Sequence, residues 1–160
     1  MKKIYFICRS FPYRVIYHVF RIIIFNCTFW RTKERYKYKN EKILILGGGS
    51  NTLFLKDWDG LVLKIELKGK EIINEDQQYI YIKVSSGENW DKFVKYVVKK
   101  NWAGVENLIF IPGTVGGAVV QNIGAYGQSI TDTLYKIEAL EIQTLELKEF
   151  NPKECDYKYR

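Results

Sequence analysis

The chain has 160 residues, 47% apolar and 27% charged, which suits one globular domain and argues against global disorder. Its net charge of +7 is unevenly placed. Of 25 Lys/Arg and 18 Asp/Glu, residues 1–40 hold ten and one (Glu34), so the rest carries 15 bases and 17 acids and shows no nucleic-acid footprint. Cys8, Cys27 and Cys155 match no zinc or redox spacing, and the odd count suits a reducing compartment. His18 is the single histidine, so no His/Cys metal set is expected.

Residues 1–40 read as an atypical basic segment. The apolar stretch 15–25 is interrupted by His18 and Arg21 and falls short of the roughly 20 apolar residues a spanning helix needs. Arg9, Arg14 and Arg21 break up any signal-peptide core. Two readings stay open, an irregular, weakly packed extension or a basic helix lying on an anionic membrane. Residues 31–39 (RTKERYKYK) read as a solvated linker.

Regular structure becomes legible at Lys42. Ile43–Leu46 is a continuous apolar run, which predicts a buried strand. It runs into Gly47, Gly48, Gly49, Ser50 and Asn51. A strand ending in a glycine turn can present backbone amides to a phosphate, although this turn is neither a Walker loop nor GxGxxG. Residues 53–55 and 61–65 are further strand candidates across the turn-forming 56–60. Residues 79–84 (YIYIKV) read as a strand ended by Ser85, Ser86 and Gly87. Then Trp90, Phe93, Val94, Val97 and Val98 mark one face of a core helix, with Asn89 as N-cap, Asp91 in its first turn and Lys99 and Lys100 at its end. Residues 101–104 stop it.

The chain is organised around residues 107–130. Five glycines (Gly113, Gly116, Gly117, Gly124, Gly127) are interleaved there with Thr114, Gln121, Asn122 and Tyr126, after Pro112. Glycine permits close backbone approach but costs entropy on ordering, so an anion held by exposed amides is a natural compensation. A close-packed structural loop is the competing reading. Beyond it, 137–147 suggests two strands around Gln143 and Thr144. Asn151 and Pro152 look like an N-cap and first helical residue. The elements add up to an α+β class. The end at Arg160, with no closing strand or cap, leads to the expectation of a truncated product.

Four segments carry a resemblance. LILGGGSNTLF (44–54), SSGENW (85–90), GVENLIFIPGTVGGAVVQNIGAYG (104–127) and KECDYKYR (153–160), in that order and spacing, closely resemble the UDP-N-acetylenolpyruvoylglucosamine reductase family, flavoenzymes of peptidoglycan precursor synthesis. The likeness covers residues 41–160. It implies a two-part FAD-binding fold of the vanillyl-alcohol-oxidase (PCMH) type, incomplete here. Residues 41–68 would be a remnant of the first part and 69–160 a truncated second part, with the family's C-terminal substrate-binding domain absent.

The resemblance implies FAD and NADPH as cofactors, UDP-N-acetylglucosamine enolpyruvate as substrate, a cytoplasmic location and no nucleic-acid partner. It puts the FAD pyrophosphate against Gly47, Gly48, Gly49, Ser50 and Asn51 and against Gly113, Thr114, Val115, Gly116 and Gly117. Gln121, Asn122, Gly124 and Ala125 would run beside the flavin, and Tyr126 would face flavin or substrate. Arg160 falls on the family's active-site arginine, where it would stabilise charge developing on the substrate, and Tyr159 on a substrate-contacting tyrosine. The family's proton-donating serine and catalytic glutamate would lie beyond residue 160, so this chain alone is expected to turn over little or not at all. Two alternatives stand beside it, a non-catalytic flavin- or nucleotide-binding module and a flavin oxidase of the same fold. The oxidase is disfavoured because His18 is the only histidine that could attach a flavin.

Overall fold

Two sheets and a small hairpin make up the strands of the computed structural model, which describes residues 2–9, 22–24, 40–142, 144 and 146–158. The larger sheet is built on β1 (Lys2–Arg9), which runs parallel to β6 (Tyr79–Ser85) and to β10 (Leu134–Leu140). β5 (Lys70–Glu75) and β11 (Leu147–Phe150) flank it antiparallel, and the two-residue β7 (Trp102–Ala103) pairs with the first residues of β1. The smaller sheet is parallel, with β4 (Leu61–Lys64) between β2 (Ile22–Ile24) and β3 (Ile43–Leu46).

Segment 1–40 is therefore not simply an irregular extension: it lends a central strand to one sheet and an outer strand to the other. The possible membrane helix over 15–25 gives way to β2 at 22–24, and its remainder, like the linker 31–39, lies outside the described residues. No helix among the described residues is long and apolar enough to cross a membrane.

The core forms where α1 (Trp90–Lys99) lies on the large sheet. β6 alternates strictly, with Ile80, Ile82 and Val84 buried and the intervening residues half-buried, as expected for a strand with one face on a core. Asn89 caps α1 by accepting the Lys92 N–H at 2.9 Å. Trp90, Phe93, Val94 and Val97 are buried, each stabilising the fold by about 2 kcal/mol. Val98, expected in the same stripe, is half exposed, so the buried face is narrower than the pattern suggested. Asn101, at φ 56°, turns the chain out of the helix.

Other expectations are corrected. Ile43–Leu46 is a strand but not a buried one: β4 takes the centre of its sheet and Ile45 is half exposed. Residues 53–55 form no strand, and Leu53 and Leu55 are more than four-fifths exposed. The hairpin expected over 137–147 is present with shifted bounds, as β10 and β11. Asn151 and Pro152 open a 3-10 turn, Pro152–Cys155, closed by a reciprocal Asn151–Glu154 capping box.

Candidate functional site

The stretch read as a glycine loop contains a helix. Thr114 is the N-cap of α2 (Val115–Val120), its hydroxyl accepting the Gly117 N–H at 3.2 Å. Gly-Gly in a first turn is unfavourable by intrinsic propensity, so tertiary contacts hold the helix. The Val115 N–H donates to the Glu88 carbonyl at 2.9 Å and the Gly116 N–H to the Ser86 carbonyl at 2.8 Å. Gly116 is obligatory for space: a Cβ there would stand 2.7 Å from the Ser86 Cβ.

This arrangement brings the two glycine stretches together. A Cβ on Gly48 would sit 3.1 Å from the Gly113 Cα, and one on Gly47 would sit 3.0 Å from Thr114 Oγ1. The Ser50 hydroxyl donates to the Pro112 carbonyl at 3.1 Å, and Asn51 Nδ2 donates to Gln121 Oε1 at 3.2 Å. Loop 47–51, one lip, follows β3 of the smaller sheet, and Gly113, on the other lip, precedes α2, which packs against β1 and β6 of the larger one.

A cavity of about 310 Å³ lies between the two lips. Gly47, Gly48, Gly49, Ser50 and Asn51 line it on one side, and Gly113, Thr114, Gly116, Gly117 and Gln121 on the other. No charged side chain among the described residues lines it. An anion there would be held by backbone dipoles. The lips differ in what they offer. Among the described residues, the N–H groups of Gly47, Gly48, Gly49, Ser50 and Asn51 donate to no protein acceptor, whereas those of Val115, Gly116 and Gly117 are spent internally. Five consecutive donors without a protein acceptor among the described residues leave loop 47–51 as the lip with amides available to an anion. Val115 stands apart from the other expected residues: its side chain is fully buried in the core, it does not line the cavity, and its N–H donates to the Glu88 carbonyl.

A second, wider cavity of about 1010 Å³ adjoins the first, with Asn51, Gln121, Ile111 and Ile123 on the walls of both. The Asn51–Gln121 hydrogen bond thus stands at the partition. Asn122, Gly124, Ala125 and Tyr126 line this second space, together with Asp132 and Lys158. β8 (Gly124–Ala125) and β9 (Gln128–Ser129) are joined by Tyr126 at φ 52° and Gly127 at φ 77°. Left-handed conformation at both positions is the signature of a type I′ hairpin turn. It leaves the Tyr126 ring 90% exposed at the mouth. A bulky residue at positive φ is uncommon and is found where surrounding structure imposes it. Tyr159 and Arg160 lie outside the described residues.

Sequence reasoning passed over Ser86, Trp90 and Pro112. Ser86 lines the first cavity, Trp90 lines it while donating from Nε1 to the Leu108 carbonyl at 2.7 Å, and the Pro112 carbonyl receives Ser50. The SSGENW segment was the available signal for Ser86 and Trp90. Its place in the family resemblance marks the segment, but neither residue is singled out by it as a site residue.

A family model described as FAD binding domain matches residues 34–143. The UDP-N-acetylenolpyruvoylglucosamine reductase of Flavobacterium johnsoniae is 51% identical over 122 residues, covering 76% of this chain and 36% of that protein. The protein of the same name from Amoebophilus asiaticus is 49% identical over 117 residues, covering 73% and 34%. The chain spans about a third of the length of these curated relatives. The crystal structure of UDP-N-acetylenolpyruvylglucosamine reductase from Thermus caldophilus matches with a TM-score of 0.61 at 24% identity, over 80% of this chain and 46% of that one. That is a likeness of fold.

Proposed function

The chain belongs to the FAD-binding domain family, and from that premise we propose that it forms the flavin-holding part of a UDP-N-acetylenolpyruvoylglucosamine reductase in peptidoglycan synthesis. Its fold is the mixed α/β, PCMH-type arrangement of that family. The observation that supports the reading best is the meeting of two glycine stretches around a cavity without charged side chains.

In this reading the free amides of loop 47–51 hold the FAD pyrophosphate, with Gly113 and Thr114 opposite. Gly116 and Gly117 shape the shoulder that lets the two lips approach. Gln121, Asn122, Gly124 and Ala125 flank the flavin in the second cavity. Tyr126 meets flavin or substrate at its mouth. FAD, when bound, would supply the chemistry of hydride transfer between NADPH and the enolpyruvyl double bond. The assignments of Arg160 to stabilising the resulting negative charge and of Tyr159 to substrate contact follow the family motif. UDP-N-acetylglucosamine enolpyruvate as substrate, NADPH as reductant and a cytoplasmic setting belong to the same proposal. So does the division at residue 68 into two flavin-binding parts, with 1–40 lending a strand to each sheet.

The test is the visible spectrum of the purified chain after FAD is added and excess removed. A retained, protein-perturbed flavin band is expected. Adding NADPH with and without the enolpyruvyl substrate then separates two outcomes. Retained flavin without substrate-dependent NADPH oxidation assigns this chain flavin binding alone. A folded chain that retains no flavin overturns the reading.

A further inference from the structure

Ser86 stands on the wall of the first cavity, 2% exposed, and among the described residues its hydroxyl has no hydrogen-bond partner. The adjacent Ser85 hydroxyl, by contrast, donates to the Lys68 carbonyl at 3.2 Å. Buried hydroxyls are usually paired, and leaving one unpaired is costly, whereas alanine would fill nearly the same space without that cost.

The surroundings of Ser86 are too tight for a shift of its backbone to find a partner. Its carbonyl is held by the Gly116 N–H at 2.8 Å. Gly116 leans against its Cβ with no room for a side chain between them. On its other side, a Cβ at Gly87 would fall 2.6 Å from the Glu66 carbonyl carbon, so that residue is pinned as well. Only rotation of the hydroxyl is left. The two hydroxyls of the lips have other partners, Ser50 donating to the Pro112 carbonyl and Thr114 accepting the Gly117 N–H, and neither is bonded to Ser86. Because Ser86 lines the cavity, a molecule seated there is in a position to supply the missing partner.

We propose that Ser86 is a cofactor-binding residue whose hydroxyl donates a hydrogen bond to an oxygen of the phosphate–ribityl chain of bound FAD, across the cavity from loop 47–51. The proposal rests on the flavin-binding reading and deepens it. That reading assigns the anion to backbone amides. Ser86 would add one side-chain donor from the opposite wall and fix how far the chain sinks between the lips.

The experiment compares the full-length chain with Ser86→Ala. FAD affinity is read by quenching of flavin fluorescence, and apo stability by the thermal midpoint from circular dichroism. FAD binding should weaken about tenfold, while the apo midpoint stays the same or rises, because no internal hydrogen bond is lost. Ser86→Gly, which also removes the hydroxyl and clears the Cβ that Gly116 abuts, repeats the affinity test if the alanine variant misfolds. Unchanged FAD affinity overturns the inference and leaves the flavin reading standing. A lowered apo midpoint in both variants overturns it too, since the hydroxyl would then have a partner inside the fold. A wild-type chain that binds no FAD overturns the flavin reading and this inference together.

Discussion

Asn122 donates from its side-chain amide to the carbonyl of Lys158 at 3.1 Å, tying the end of α2 to the segment that follows the Pro152–Cys155 turn. Its Oδ1 accepts from the Ser129 hydroxyl at 3.2 Å, and its backbone is left-handed at φ 47°. Asparagine tolerates that conformation, alanine does so poorly and glycine freely. Asn122→Ala should lose roughly 2 kcal/mol of stability, and Asn122→Gly about 1 kcal/mol, because glycine loses the bonds without the strain. Both variants should show faster amide hydrogen exchange over 151–158. Unchanged protection there would mean that the bridge does not hold this segment.

Gly48 and Gly49 separate close approach from backbone conformation. A Cβ on Gly48 meets the Gly113 backbone, whereas one on Gly49 meets nothing within 4 Å but sits at φ +73°. Gly48→Ala should pry the two lips apart and weaken FAD binding tenfold or more by our order-of-magnitude expectation for a displaced positioning loop. Gly49→Ala should cost roughly 1 kcal/mol of strain. Titrating both variants with FAD, beside their urea midpoints, checks the contrast. Equal loss of affinity at normal stability in both would remove the distinction.

Gly116 and Gly117 make a second pair with opposite expectations. Both lie in α2, where alanine is intrinsically favoured over glycine by about 1 kcal/mol. A Cβ at Gly117 makes only an ordinary contact, 3.4 Å from Thr114 Oγ1. Gly117→Ala should therefore stabilise the apo chain by a few tenths to about 1 kcal/mol. Gly116→Ala drives a methyl into Ser86 and should destabilise it by about 1–3 kcal/mol. Chemical denaturation of the two variants reads the sign directly. A stabilising Gly116→Ala would show that the shoulder between Ser86 and α2 is looser than the structure has it.

Asp91 carries a pH dependence. Its hydrogen bond from the Lys95 ammonium holds the carboxyl below its ordinary value against partial desolvation, and the Phe110 N–H reinforces the shift. A depressed folded-state value makes the contribution to stability complete above the unfolded carboxyl's pKa of about 4. It is lost as pH falls through the lower folded value. The thermal midpoint of the wild type should exceed that of Asp91→Asn at neutral pH, and the gap should close below about pH 4. A gap that widens on acidification would contradict the linkage.

Helix α1 was legible because period and caps agree: four buried apolar residues on one face, Asn89 before them and Lys99 at the end. Helix α2 was hidden because Gly116 and Gly117 argue against a helix, and what holds it, the carbonyls of Ser86 and Glu88, comes from far along the chain. β5 was missed because all six of its residues are exposed and a bulge between Ile72 and Asn74 breaks the alternation. Residues 53–55 had strand-like composition without a neighbouring strand to pair with. The candidate site was legible as motif more than as geometry. Both glycine stretches could be named, but which amides stay free follows from hydrogen bonds that no local pattern encodes.

The position of β1 also sets the order in which the molecule can assemble. Phe6 lies opposite both Ile82 and Leu134, so the middle of the large sheet needs residues from the start, centre and later part of the chain at once. Loop-closure entropy has to be overcome before either pairing is rewarded, which slows folding. During synthesis β1, made before β6 and β10, waits for its second neighbour until β10 has left the ribosome. Until then, β1, once paired with β6, presents an unpaired edge on which another chain could add a strand. The yield of native protein should therefore depend on how soon β1 is captured, a kinetic demand separate from the stability of the finished sheet.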